Sequence, residues 1–218
     1  MYTKNILEIS WSILKRVLMK KIAVFLFEGA ELFEIASFTD IFGWNNVVGL
    51  KKFRDIKLET ISYKESIKCT WGGSLKVEKV ITEKNIEEIF NYDVLVIPGG
   101  FGKANFFEEK NNEIFKKLVK YFLENNKIIV AICSAVIKLL ETDCVKNKKV
   151  TTYLLDNKRY FNQLKKYDII AIEEEVVIDD NLLTCSGPGN ALELSLLLLE
   201  KLSSKENVEI VKKNAFLK

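Results

Sequence analysis

From Lys21 onward, short apolar runs alternate with longer stretches in which apolar residues recur at helical spacing. An unbroken apolar run bounded by polar residues suits a strand buried on both faces. Recurrence every three to four residues suits a helix with one face on a core. On this basis strands are predicted over 22–27, 56–62, 94–97, 127–132 and 169–172, and helices over 32–42, 82–90, 111–125, 135–141 and 191–202. Residues 176–178 and 182–185, separated by Asp179, Asp180 and Asn181, read as a hairpin. Alternating strands and helices are the mark of βαβ units, so the expected fold class is α/β: a three-layer α/β/α sandwich around a mainly parallel sheet.

The 218 residues, 48% of them hydrophobic, suffice for one full core, and no repeat or Pro/Gly/Ser linker divides them. Residues 1–18 carry apolar positions broken by Glu8, Ser10, Ser12, Lys15 and Arg16, so they do not read as a signal peptide, although Ile6, Ile13 and Val17 would share a helix face. Met19 opens directly into the first strand pattern. The expected organisation is an N-terminal extension over 1–18 upstream of a natural start at Met19, one domain over 19–203, and a C-terminal tail over 204–218.

Charge and composition narrow the chemistry. Lys plus Arg number 33 against 30 for Asp plus Glu, a net +3 scattered along the chain, which gives no reason to expect nucleic acid or an anionic membrane as partner. No apolar run is long enough to span a bilayer. Histidine is absent, which excludes Cys–His and Ser–His catalysis and histidine-containing zinc sites. The four cysteines are widely spaced with no C-x-x-C pair, so no metal and no disulfide framework is expected, and a reducing cytoplasm is the simplest setting. Nothing in the chain calls for a cofactor.

Both prolines, Pro98 and Pro188, and five of the ten glycines fall in two short pieces, Pro98-Gly99-Gly100-Phe101-Gly102 and Gly187-Pro188-Gly189. The first follows a predicted strand and the second precedes a helix, the places where open α/β sheets bind ligands. Between them, a buried strand ends at Cys133 and passes at once into a helix. This is a nucleophile elbow, a sharp turn expected to thrust the thiol outward toward backbone N–H groups and to lower its pKa. Cys69, Cys144 and Cys185 read instead as small buried hydrophobes.

These pieces resemble the ThiJ/PfpI superfamily, the Parkinson-protein-like branch of the flavodoxin-like, class I glutamine amidotransferase-like folds. The resemblance runs from about residue 20 to about 202. It rests on Phe27-Glu28-Gly29-Ala30-Glu31-Leu32-Phe33-Glu34, Pro98-Gly99-Gly100, Ala131-Ile132-Cys133, Val150-Thr151-Thr152 and Thr184-Cys185-Ser186-Gly187-Pro188-Gly189. It implies Cys133 as the reactive cysteine and Glu34 as an acid whose protonated carboxyl donates to it. A carboxyl buried beside a thiolate is indeed driven to its neutral form. It also implies an oxyanion or substrate-binding region made by Gly99, Gly100, Ser134, Tyr153, Gly187 and Pro188, with the Gly100 and Ser134 N–H groups as donors. Members with a Cys–His pair have histidine after the Val-Thr-Thr stretch, where this chain has Tyr153. A phenol of pKa near ~10 is a poor base at neutral pH, which argues against histidine-dependent routes.

The resemblance therefore implies a reactive Cys–Glu site acting on small electrophilic carbonyl compounds, as a cysteine-dependent hydrolase or lyase of glyoxalase, deglycase or hydratase type. The alternative is a non-enzymatic redox or stress sensor that uses oxidation of Cys133. A homodimer is expected, with Phe38, Ile41, Phe42 and Trp44 of the first helix on the covered surface.

Overall fold

The computed structural model describes residues 19–108 and 113–217. The readings for 1–18, and for the first two residues of the helix expected at 111–125, lie outside the described residues. In chain order the elements are β1 (Lys21–Phe25), α1 (Leu32–Val48), β2 (Lys57–Ser62), β3 (Ser66–Lys68), β4 (Ser74–Lys76), β5 (Lys79–Val80), α2 (Ile86–Ile89) and β6 (Val94–Ile97). There follow α3 (Glu113–Glu124), β7 (Ile128–Ile132), α4 (Ala135–Leu140), β8 (Lys149–Val150), β9 (Ile170–Ala171), β10 (Val176–Asp179), β11 (Leu182–Cys185), α5 (Pro188–Leu202) and α6 (Lys205–Asn214).

Seven strands form one sheet in the order β10-β11-β7-β6-β1-β2-β5. Every pairing in it is parallel except β10 with β11, the hairpin at one edge. The pleat of β1 sorts the two cores by residue parity. Ile22, Val24 and Leu26 face a layer that includes Phe38 and Ile41 of α1, Leu194 and Leu198 of α5, and Val208 and Val211 of α6. Ala23, Phe25 and Phe27 face the opposite layer, with Phe115, Leu118 and Phe122 of α3 and Leu139 of α4. The sandwich expected from the apolar pattern is the one that forms.

Several boundaries depart from expectation for identifiable reasons. Helix α1 runs six residues past the expected end at 42. Gly43, Asn45 and Asn46 look like a stop, but their polar side chains are consumed by tertiary bonds: Asn45 Nδ2 donates to the Phe53 carbonyl at 2.6 Å and Asn46 Nδ2 to that of Ile56 at 2.7 Å. The same helix corrects the expected dimer surface. Phe38, Ile41 and Phe42 are buried in the chain's own core, and only Trp44 of that set is exposed. The helix expected over 82–90 shrinks to α2, because Asn85 Oδ1 accepts from the Thr82 N–H at 2.7 Å and holds the preceding residues in a turn. The strand expected over 169–172 survives only as β9, paired with β8 in a separate two-stranded sheet.

Residues read as a tail form α6, which packs on α1. Asn207 fixes it there, donating from Nδ2 to Asn45 Oδ1 at 2.7 Å and accepting from the Leu50 N–H at 2.6 Å. Among the described residues no helix is long and apolar enough to cross a membrane.

The strand order creates the site. From β1 the chain runs outward through β2 and β5, then returns to place β6 on the other flank of β1. The chain leaves β1 for α1 on one face of the sheet and β6 for α3 on the other, so the turns after β1 and β6 lie side by side at the carboxyl ends of the strands, where such sheets place their sites. Cys133 stands at the end of β7, the next strand along.

Candidate functional site

Three backbone segments converge at these strand ends. Ala30 bridges to Gly100, and the Glu31 N–H donates to the Gly99 carbonyl at 2.7 Å. Gly99 in turn lies against the β7–α4 turn so closely that an added Cβ would stand 2.7 Å from the Ile132 carbonyl oxygen and 3.0 Å from Cys133 Cβ. Only glycine permits that approach.

Cys133 itself has φ of +54°, a left-handed conformation unusual for a side chain with a Cβ and costing about 1–3 kcal/mol. The surrounding bonds hold it there. Its N–H donates to the Cys185 carbonyl at 2.8 Å, and Thr152 Oγ1 donates to its carbonyl at 2.6 Å. Thr152 thus has a defined task, and its neighbour Thr151 is tied by its N–H to Thr184 Oγ1 at 3.0 Å. The elbow expected from the sequence is present as geometry. Its expected exposure is not: Cys133 is only 6% accessible.

The electrostatic expectation is corrected as well. Burial pushes the Cys133 thiol well above its ordinary range, and the neighbouring Glu34 charge pushes it further. A hydrogen bond from the Ser134 backbone N–H acts in the opposite sense without cancelling them. Helix α4 has only six residues, so its dipole is a weak counterweight. The thiol is neutral at rest, not the thiolate expected.

Glu34 sits in the first turn of α1, 1% accessible. Burial raises its carboxyl to about 8, although the Gly99 N–H, donating to Oε2 at 2.6 Å, favours the charged form and Glu31 opposes it. At neutral pH the carboxyl holds a proton. The donated bond occupies Oε2, so that proton belongs on Oε1. Burial is thus the main reason this carboxyl favours its protonated form.

Cys133, Gly100, Ser134 and Tyr153 line one cavity of about 160 Å³, together with Phe101, Asp156, Arg159 and Tyr160. The Gly100 N–H donates to Ser134 Oγ at 3.0 Å, and that hydroxyl donates to the Gly100 carbonyl at 2.7 Å. An oxyanion placed against Gly100 would have to displace the first of these bonds. Gly187 abuts the Tyr153 ring, 3.8 Å from where its Cβ would lie, and Pro188 opens α5. Neither is part of the cavity wall.

Asp156, Arg159 and Tyr160 were not legible in the sequence as site residues. Arg159 Nε pairs with Asp156 Oδ2 at 3.1 Å, and its guanidinium lies 4.8 Å over the Tyr160 ring. They ride on an irregular segment whose Asp156 and Asn157 adopt positive φ, a turn signal that says where the chain bends and nothing about what its side chains face. Lys138 is a second omission. This buried lysine of α4 stands 4.4 Å over the Phe27 ring and 5.3 Å over that of Phe106. Among the described residues no cluster of three or more His, Cys, Asp or Glu side chains could hold a metal ion.

Comparison with known proteins places this geometry in context. The model of the DJ-1/PfpI family matches residues 20–201. The protein dj-1beta of Drosophila melanogaster is 27% identical over 196 residues, covering 89% of this chain and 95% of that protein. Its crystal structure superposes with a TM-score of 0.74 at 25% identity, over 91% of this chain and 98% of that one. A Caenorhabditis elegans protein named glutathione-independent glyoxalase DJR-1.2 is 28% identical over 156 residues, 71% of this chain and 74% of the relative. The Arabidopsis thaliana protein DJ-1 homolog B is 33% identical over 143 residues, 62% of this chain but 31% of that longer protein.

Proposed function

Because the chain belongs to the DJ-1/PfpI family, we propose that it acts on small electrophilic carbonyl compounds through Cys133 and Glu34, in a glyoxalase-, deglycase- or hydratase-like reaction. The observation that carries this reading is the Cys133 thiol, at the end of β7 on the wall of a small cavity, with the buried Glu34 carboxyl of α1 near enough to act on it although Glu34 does not itself line that wall. The likeness to a relative named as a glyoxalase supports it.

Neutral partners can react without a histidine. As sulfur attacks the aldehyde carbon of a 2-oxoaldehyde, the S–C bond forms and the C=O π bond breaks. The thiol proton passes to one carboxyl oxygen while the carboxyl proton passes to the new hydroxyl, giving a neutral hemithioacetal. Glu34 then relays the C1 proton to C2 through an enediol, leaving a 2-hydroxy thioester. Water cleaves the thioester, releasing the 2-hydroxy acid and restoring the thiol. The sum is RCOCHO + H2O → RCH(OH)COOH, with no external redox partner. Ser134 and Tyr153 supply polar groups to the reacting oxygens, and Gly99 holds Glu34 in place through its N–H.

The protein works in this reading as a homodimer in the cytoplasm, with Trp44 and the exposed Val47 of α1 on the covered face. Light scattering is expected to report twice the 25.1 kDa chain mass. The test of function is incubation with methylglyoxal while lactate is followed. Turnover by the wild type that is lost in Cys133→Ser supports the enzyme; equal activity in both refutes it.

A second reading is carried by Tyr153, which leaves Cys133 without a basic neighbour at the position where Cys–His members have histidine. Here Cys133 is a redox sensor, oxidised by peroxide to a sulfinic acid that the Glu34 carboxyl stabilises by donating a hydrogen bond. Peptide mapping after graded peroxide treatment separates the two. Oxidation first at Cys133, in a protein silent toward methylglyoxal, selects the sensor.

A further inference from the structure

The Cys133 cavity shares part of its wall with a second, larger space. Phe101, Asp156, Arg159 and Tyr160 belong both to it and to a larger groove of about 800 Å³ outside it. Two aromatic pairs line that groove. Trp71, in the turn joining β3 to β4, lies with its centroid 5.4 Å from that of Phe101, and Phe107 stacks on Tyr160 at 5.7 Å and 20°. Trp71 is 75% exposed and Phe101 39%, so the first pair presents ring faces and edges that the chain itself leaves uncovered. The charges of the groove cancel in number: Lys103 and Arg159 against Glu141 and Asp156. Arg159 and Asp156 are moreover paired with each other.

We propose that this groove binds a planar, uncharged aryl group, so that the electrophile processed at Cys133 is an aryl-substituted 2-oxoaldehyde in preference to a minimal one. The inference rests on the reading of Cys133 as nucleophile and adds a substrate class to it. At roughly 30 Å³ per water-sized group, the inner cavity holds about five heavy atoms, the size of a dicarbonyl head. A methyl-substituted substrate fills that space and leaves the groove empty. A phenyl ring attached to the same head reaches the aromatic pairs, where offset or edge contacts add to the area removed from water. The cancelled charge gives no field that would select an ionised tail.

The test compares phenylglyoxal with methylglyoxal in the wild type and in Trp71→Ala, following the 2-hydroxy acids formed. Trp71 lines the groove and not the inner cavity, and its exposure makes the substitution safe for the fold. The expected result is an increase of about tenfold in KM for phenylglyoxal, with methylglyoxal kinetics unchanged. An unchanged KM for phenylglyoxal, or a parallel loss on both aldehydes, overturns the proposal. If neither aldehyde turns over, it is the reaction assigned to Cys133 that fails, and binding decides the groove. Calorimetric titration with mandelate and lactate is then expected to show tighter binding of mandelate that Trp71→Ala weakens. Mandelate binding no tighter than lactate removes the aryl site.

Discussion

Replacing Glu34 by glutamine should make the protein more stable, and increasingly so as pH rises. The carboxyl has an ordinary pKa of 4.5 and one of about 8 in the folded chain, with burial as the main cause. Between those values the folded state keeps a proton that the unfolded state has lost, so raising the pH favours unfolding. The contribution is fully present below pH 4.5 and is lost as pH climbs through 8. At about 1.4 kcal/mol per unit, the wild type forfeits about 3 kcal/mol by pH 7 and about 4 kcal/mol by pH 8. The substituted glutamine does not titrate, and its amide oxygen can still accept the Gly99 N–H that Glu34 Oε2 now accepts at 2.6 Å. Urea unfolding of both proteins at intervals from about pH 5 to 8 isolates the effect, because titrations not coupled to Glu34 cancel in the difference and the coupled Cys133 and Cys185 thiols are pushed up, above this window. The stability gap should widen by about 1.4 kcal/mol per pH unit in favour of Glu34→Gln. A gap that stays constant with pH would refute a neutral, buried Glu34.

Gly99→Ala should cost about 2–3 kcal/mol and displace the elbow, because its Cβ would meet the Ile132 carbonyl at 2.7 Å; thermal denaturation with an unchanged midpoint would contradict the close approach. Asn207→Ala leaves the Leu50 N–H and Asn45 Oδ1 without their partner and should cost about 2–4 kcal/mol in urea unfolding. A loss below about 1 kcal/mol would mean that α6 is not locked to α1 in this way.

What could be read from the sequence follows what is periodic or backbone-special. The strand at 94–97 and the hairpin ending at Cys185 appear as expected, because apolar runs and the Asp180-Asn181 turn encode them locally. Gly99 and Cys133 were legible because a close approach and an elbow demand unusual residues at fixed places. The length of α1 was not, since Asn45 makes its decisive bonds with Phe53 and Asn207, the second far away in the chain. The state of Cys133 was misjudged for a related reason. A turn predicts nearby N–H groups, but what outweighs them is burial and the charge of Glu34, with Gly99 lying close against Cys133, and neither Glu34 nor Gly99 is beside Cys133 in sequence. Arg159 and Tyr160 reach the cavity from an irregular loop, where no pattern records the facing of a side chain.

The coupling of Cys133 to Glu34 is tested most directly by the pH dependence of thiol alkylation, resolved peptide by peptide with mass spectrometry, in the wild type and in Glu34→Gln. Ionised Glu34 holds the Cys133 thiol up, so removing that charge should shift the Cys133 profile to lower pH. Alkylation of half-buried Cys144 serves as the internal control for reagent and folding in both proteins. Superimposable Cys133 profiles in the two proteins would contradict the pair and, with it, the site.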